Sequence, residues 1–307
     1  MAFTAKDVAE LRKQTGCGMM DCKNALVEAD GDFDKAIKVL REKGVAAAAK
    51  KQDRIAAEGL VDILAEGDVA AMIEVNSETD FVAKNESFRE FVRGILRTIV
   101  ANRPADIAAL MTCKFDGGED TVEAVLQEKT FTIGEKLTIR RFVIVDGTVS
   151  TYVHGIGATG VIVKFATDVA EKDGFAEFAK NVALQVAAMA CQYVDRDAVP
   201  ASVIAEEKEI LMKQMEQDPK MANKPAKVLE GIITGKLGKF YETNCLVEQA
   251  YVKAENNEKV SDYVKATAKA LGGDIKIVSF CRFDKGEGLQ KREDDLAAEV
   301  AKLTKKD

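Results

Sequence analysis

The residues with the greatest chemical potential in this chain are its single histidine, His154, in HGIGATG (154–160), and Cys17, between two glycines in TGCGMMDC (15–22). A lone histidine cannot serve as general base and also supply its own orienting network, and no HExxH, GxSxG or Cys/His arrangement accompanies it. Only Lys23 and a helix start stand near Cys17 to lower its pKa, so a structural thiol outweighs a nucleophile. Six cysteines, at 17, 22, 113, 191, 245 and 281, contain no CxxC, and a zinc site would need distant thiols. Reduced thiols are expected.

Two glycine-rich stretches fail as phosphate cradles. HGIGATG contains GxGxxG, but the strand-like VIVKF follows where a dinucleotide fingerprint needs a helix to begin, so it reads as a hairpin turn. In GIITGKLGK (231–239), three residues rather than four separate Gly231 from Gly235, and Leu237 stands where a Walker loop needs Ser or Thr. No nucleotide site, cofactor or metal is expected. The formal sequon Asn85-Glu86-Ser87 has no meaning without a secretory signal.

The elements around these residues imply two or three domains in 307 residues. A net charge of −7 and a pI near 5.2 argue against nucleic-acid binding by bulk electrostatics. No apolar run approaches the roughly 20 residues that span a bilayer. The start, MAFTAKDVAE, is unlike a signal or transit peptide, so a cytoplasmic location is expected. Residues 4–44 predict three short helices. The first, with Val8, Leu11 and Arg12, breaks at Gly16 and Gly18; Asp21 caps a second that ends at Asp30-Gly31; Asp32 caps a third that ends at Gly44. An Ala-rich helical linker follows, and then Glu66-Gly67-Asp68 marks a hairpin.

A weak internal repeat organises the centre. AAMIEVNSETDFVAKNESFREFVRGILRTIV (from 70) and TGVIVKFATDVAEKDGFAEFAKNVALQVAAM (from 159) both run from a strand through a Thr-Asp loop into a helix carrying FxxF. Each follows another strand, LVDIL or STYVHG, which predicts two hairpins, each with a helix on its face. Phe88, Phe91, Phe175 and Phe178 read as core, and periodicity alone extends that stripe to Phe81. The second copy has no aromatic corresponding to Phe81. Beyond it, 201–241 predicts an antiparallel helical hairpin jointed at Asp218-Pro219 and Lys224-Pro225. A strand at 246–252, a helix at 259–271, a strand at 275–283 and a last helix over LQKREDDLAAEVAKL complete the order.

The segments LRKQTGCGMMDCKNAL, GDFDKAI, EVNSETDFVAKN, YVHG and FDKGEGLQK are similar to those of bacterial translation elongation factor Ts, and the correspondence covers essentially the whole chain. The resemblance implies an α+β fold. Its parts are a ubiquitin-associated-like three-helix module with linker (1–55), two repeated sheet-plus-helix core halves (56–145 and 146–284), a coiled-coil hairpin inserted at about 201–241, and a C-terminal helical module (285–307). It also implies no active site of the chain's own but nucleotide exchange on a partner GTPase, elongation factor Tu, without direct binding of nucleotide, nucleic acid or membrane. Self-association is left open. In family terms Thr79, Asp80, Phe81 and Val82 dislodge Mg²⁺ from the partner, Phe81 as an exposed wedge. Arg12, Met19, Met20, Lys23 and His154 bind the partner; without the family, the methionines read as local core and the histidine as a structural hydrogen-bonding group. The alternative function is a protein-binding adaptor that works through the N-terminal module alone.

Overall fold

The computed structural model describes residues 3–218 and 224–290, so the helix expected from 289 onward, apart from its first two residues, and the Pro219 joint lie outside the described residues. Helix α1 (Ala5–Thr15) begins with a reciprocal Thr4/Asp7 capping box and ends at Gly16, whose φ of 69° suits a residue without a Cβ. Helix α2 (Met19–Glu28) starts one turn earlier than predicted: Gly18 takes the cap and Asp21 lies inside the first turn. In α3 (Phe33–Lys51), Asp32 accepts from the Lys35 amide at 3.0 Å as expected, but the helix runs through Gly44. The alanines after Gly44 are strong helix formers and outweigh the roughly 1 kcal/mol cost of one glycine. Val8, Leu11, Cys22, Leu26 and Leu40 form the small core of these three helices.

The central elements follow in order. Strands β1 (Glu58–Glu66) and β2 (Val69–Ser77) form the expected hairpin across Gly67-Asp68. Helices α4 (Asp80–Ala83), α5 (Glu86–Asn102), α6 (Ile107–Thr112) and α7 (Val122–Ile133) precede β3 (Thr138–Asp146). Strands β4 (Val149–His154) and β5 (Thr159–Thr167) lead to α8 (Phe175–Met189), then to α9 (Ala201–Glu216) and α10 (Ala226–Asn244). Helix α11 (Val260–Leu271) and β6 (Ile275–Asp284) close the described chain. The strand expected at 246–252 is absent. Leu246–Glu248 is a single 3-10 turn, its backbone drawn to Tyr193 and Val194 by Leu246, a fully buried anchor.

Each predicted hairpin is in fact a three-stranded antiparallel meander, β1-β2-β3 and β4-β5-β6, giving a mixed α/β chain. The third strand escaped the pattern in the first half because Arg140 and Arg141 interrupt its apolar run. The repeat is otherwise close: both middle strands shift register after the sixth of nine residues, between Glu74 and Val75 and between Lys164 and Phe165. Ala71, Ile73 and Val75 face α5, while Ala70 and Met72 face the second sheet and Ile162. Burial on both faces explains why AAMIEV is apolar without alternation.

Glycines at the β4–β5 turn bring the sheets together. Gly157 has φ +73°, its carbonyl accepts from the Val61 amide at 2.8 Å, and a Cβ there would lie 2.6 Å from the Leu60 Cβ and the Val61 oxygen. Gly157→Ala is therefore expected to cost about 2 kcal/mol through backbone strain and overpacking, read as a lowered denaturation midpoint. The GxGxxG pattern serves sheet packing. Gly231, Gly235 and Leu237 lie within α10, so GIITGKLGK forms no phosphate loop. That helix packs on α9 around Leu211, Met215 and Leu237.

Candidate functional site

Strand β2 is buried along nearly its whole length, and it delivers the chain to a tip where Asp80 and Phe81 emerge. The single turn α4 divides its residues sharply. Val82 and Ala83 enter the core under α5, while Phe81 is 75% exposed, which corrects the periodicity reading of a buried ring. The reason is a break in helical register. Asn85 is extended, with ψ 125°, and its Oδ1 accepts from the Ser87 and Phe88 amides, so α5 starts anew and Phe81 does not share its stripe.

Lys84 closes over this tip. Its Nζ lies 2.9 Å from Asp80 Oδ2 and 5.4 Å from the centre of the Phe81 ring. The hydrogen bond from Lys84 holds the Asp80 carboxyl below its ordinary value, and the charge of Lys285 adds to the effect. Asp80 is therefore an anion beside a bare aromatic at neutral pH.

The loop beneath is tied across the chain. Glu135, between α7 and β3, accepts from the Glu78 amide at 3.1 Å, the Thr79 amide at 2.9 Å and the Thr79 hydroxyl at 2.6 Å. Glu78 accepts in turn from the Lys136 amide at 2.6 Å and pairs with Arg54 at 3.1 Å. Sequence reasoning missed Glu135 because its partners are 56 and 57 residues away, and neither spacing nor composition points to such a pair.

The second copy of the repeat uses its Thr-Asp loop differently. Asp168 Oδ1 accepts from the Asp274 amide at 2.8 Å, Val169 is buried, and a Cβ on Gly273 would meet both residues within 2.4 Å. In that loop Asp168 is exposed, as Asp80 is, but the next residue, Val169, packs into the core. Only the first copy turns an apolar side chain outward after its aspartate, Phe81 where the second copy buries Val169.

The other expected residues also lie at the surface. Arg12 is exposed in the last turn of α1, Met19 and Met20 are exposed in the first turn of α2, with Met20 61% accessible, and Lys23 is exposed one turn later. Core packing is thus excluded for both methionines, whereas Cys17 and Cys22 on either side of them are buried. His154 ends β4 at the surface, and its Nδ1 lies 3.0 Å from the Tyr152 hydroxyl, the structural hydrogen bond that a lone histidine suggests. These residues and the Phe81 tip stand on three different groups of elements.

Nothing at these positions resembles a nucleophile. All six cysteines are free, burial raises the Cys17 thiol above its ordinary value, and it pushes Cys191 up to about 12 and Cys245 up to about 11. Among the described residues no His/Cys/Asp/Glu group fits a metal ion, and no helix is long and apolar enough to cross a membrane.

The sequence profile of the family described as Elongation factor TS matches residues 78–287, a span that opens at the exposed tip. Among curated proteins, elongation factor Ts of Syntrophotalea carbinolica is 45% identical over 308 residues, covering 99% of this chain and 100% of that protein. Elongation factor Ts of Clostridioides difficile is 48% identical over 307 residues, 99% of each chain. That of Trichlorobacter lovleyi is 44% identical over 310 residues, 98% of each.

Proposed function

Because this chain belongs to the elongation factor Ts family, we propose that it promotes release of GDP from elongation factor Tu, so that GTP can reload that GTPase during translation elongation. The observation that carries this reading is Phe81, an aromatic held outside the core on a braced tip beside the Asp80 carboxylate. Phe81 enters the GTPase as a wedge, with Thr79, Asp80 and Val82 shaping the tip, and displaces a helix that helps hold the partner's Mg²⁺. Mg²⁺ bridges phosphate oxygens and offsets their charge, so its loss weakens nucleotide binding. The chain supplies no bond-breaking chemistry and works as a binding protein rather than an enzyme with its own active site.

Arg12, Met19, Met20 and Lys23 form a second contact, where exposed thioethers adapt to a partner helix, and His154 forms a third from the second core half. The three N-terminal helices are the ubiquitin-associated-like module, and α9 and α10 are the coiled-coil hairpin. The divisions 1–55, 56–145, 146–284 and 285–307, and a cytoplasmic location beside the translation machinery, belong to the same reading.

Binding coupling is reciprocal, so bound GDP weakens this chain's hold on the GTPase by the factor by which the chain weakens GDP. The test is release of fluorescent GDP from elongation factor Tu with this chain at a small fraction of the GTPase concentration. A multiple-turnover acceleration is expected; release at the spontaneous rate would refute the exchange function.

A further inference from the structure

Helix α4 has only four residues, far too few to hold itself together, since the first helical turn fixes several dihedrals for one hydrogen bond. A threonine at its N-cap would ordinarily accept from an amide of the first turn. Thr79 makes no such bond; its hydroxyl is turned toward Glu135 and donates to it, and Glu135 also accepts from the Glu78 and Thr79 amides. The turn therefore gives up its own cap for an anchor outside it. Ser77 Oγ donates to the Thr79 carbonyl at 2.9 Å and fixes the loop from the strand side.

The anchor is reciprocal. Each loop sends a carboxylate to the other's backbone, Glu135 to residues 78 and 79 and Glu78 to the Lys136 amide. Charge-assisted bonds of this kind are stronger and more directional than neutral ones. Lys136 extends the tie, its Nζ donating to the Gln52 and Arg54 carbonyls at 2.6 and 2.9 Å just past the end of α3. One dipeptide, Glu135-Lys136, thus joins the Phe81 tip to the chain leaving the N-terminal helices.

We infer that Glu135 is a positioning residue for nucleotide exchange: its carboxylate clasps residues 78 and 79 and holds Phe81 at the angle from which it enters the GTPase. This inference rests on the wedge reading of Phe81. A wedge acts on its partner only if its base is stiffer than the helix it displaces. A loosened base lets the ring fold aside on encounter.

Release of fluorescent GDP from elongation factor Tu is measured with the full chain and its Glu135→Ala, Glu135→Gln, Thr79→Val and Phe81→Ala variants, together with amide hydrogen exchange of each free variant. Glu135→Ala is expected to slow stimulated release about tenfold, the value of one charge-assisted hydrogen bond. Glu135→Gln keeps an accepting oxygen and retains most of the rate. Amide exchange at Thr79 is expected to rise in Glu135→Ala while the β2 amides remain protected, which separates a loosened tip from an unfolded core. Thr79→Val loses only the hydroxyl donor and gives a smaller slowing in a folded chain.

Combining Glu135→Ala with Phe81→Ala is expected to add nothing to Phe81→Ala alone, because both changes disable one device. A full rate for Glu135→Ala beside a slow Phe81→Ala, or effects that multiply in the double variant, would overturn the clasp and leave the wedge standing. A full rate for Phe81→Ala would overturn both.

Discussion

Replacing Phe81 with alanine is expected to slow stimulated GDP release by about 10- to 100-fold while leaving the denaturation midpoint of the chain within about 2 °C of its original value. The two halves of this expectation have separate causes. The ring is 75% exposed, so its removal leaves no cavity in the core and alters little beyond a cation–π contact with Lys84. In the complex the same ring enters an apolar environment, and burying a phenylalanine side chain contributes roughly 1.5–3 kcal/mol, all of which alanine forfeits. Stopped-flow release of fluorescent GDP measures the first half and thermal denaturation the second. Unchanged release would remove Phe81 from the mechanism. A large fall in the midpoint would return the ring to the core.

The opposite dissociation is expected at Glu74. This carboxylate is fully buried at the edge between the sheets, where it pairs with Arg140 at 3.0 Å and Arg141 at 2.6 Å and accepts from the Asn76 amide group at 3.1 Å and the Gly286 amide at 2.7 Å. Arg141 also pairs with Glu287, and Arg140 donates to the Glu287 carbonyl. Glu74 therefore binds β2 to β3 and to the turn that ends the described chain. Glu74→Ala leaves the Gly286 amide without its acceptor and takes from each of two guanidinium groups its carboxylate partner on β2. A cost of about 3 kcal/mol is expected, at the low end for a broken buried pair because the arginines reach solvent. For a domain of this size that lowers the midpoint by about 6–12 °C.

The same group gives the stability a pH dependence. Burial pushes the Glu74 carboxyl up, but the Gly286 amide, Asn76, Arg140 and Arg141 together outweigh burial and hold it below the ordinary glutamate value. A carboxyl lowered in the folded state adds stability fully above its unfolded pKa, about 4.3, and that stability is lost as pH falls through the lowered folded pKa. The parent chain is thus expected to lose stability more steeply below about pH 4 than Glu74→Ala does. Parallel losses in the two proteins would show that Glu74 is not the titrating group.

Much of this was legible in sequence because it depends on neighbours along the chain. The caps at Thr4 and Asp32, the stop at Gly16 and the hairpin at Gly67-Asp68 are local hydrogen-bonding and φ/ψ preferences written in two to four residues. The FxxF stripes and the repeat were visible through periodicity, and they located both helix-covered sheets. Where local signals competed, the reading slipped. Asp21 is a good cap, yet Gly18 takes the position, and Gly44 is a good stop, yet the alanines beyond it carry the helix on.

What the sequence by itself determined, then, is the three N-terminal helices, the two apolar strand-loop-helix repeats and, through the spelling of distant motifs, the family. Tertiary structure alone decided that Phe81 faces out while Val82 beside it faces in, that Val169 in the second Thr-Asp loop is buried beside Gly273, and that Glu135 grips residue 79. The physical reason is that solvent exposure and carboxylate pairing belong to positions in space. A short turn interrupted by Asn85 has no period to propagate, and an anchor more than 50 residues away leaves no local trace. The chain's chemistry of neighbours makes the strand and the helix; only their assembly makes the tip.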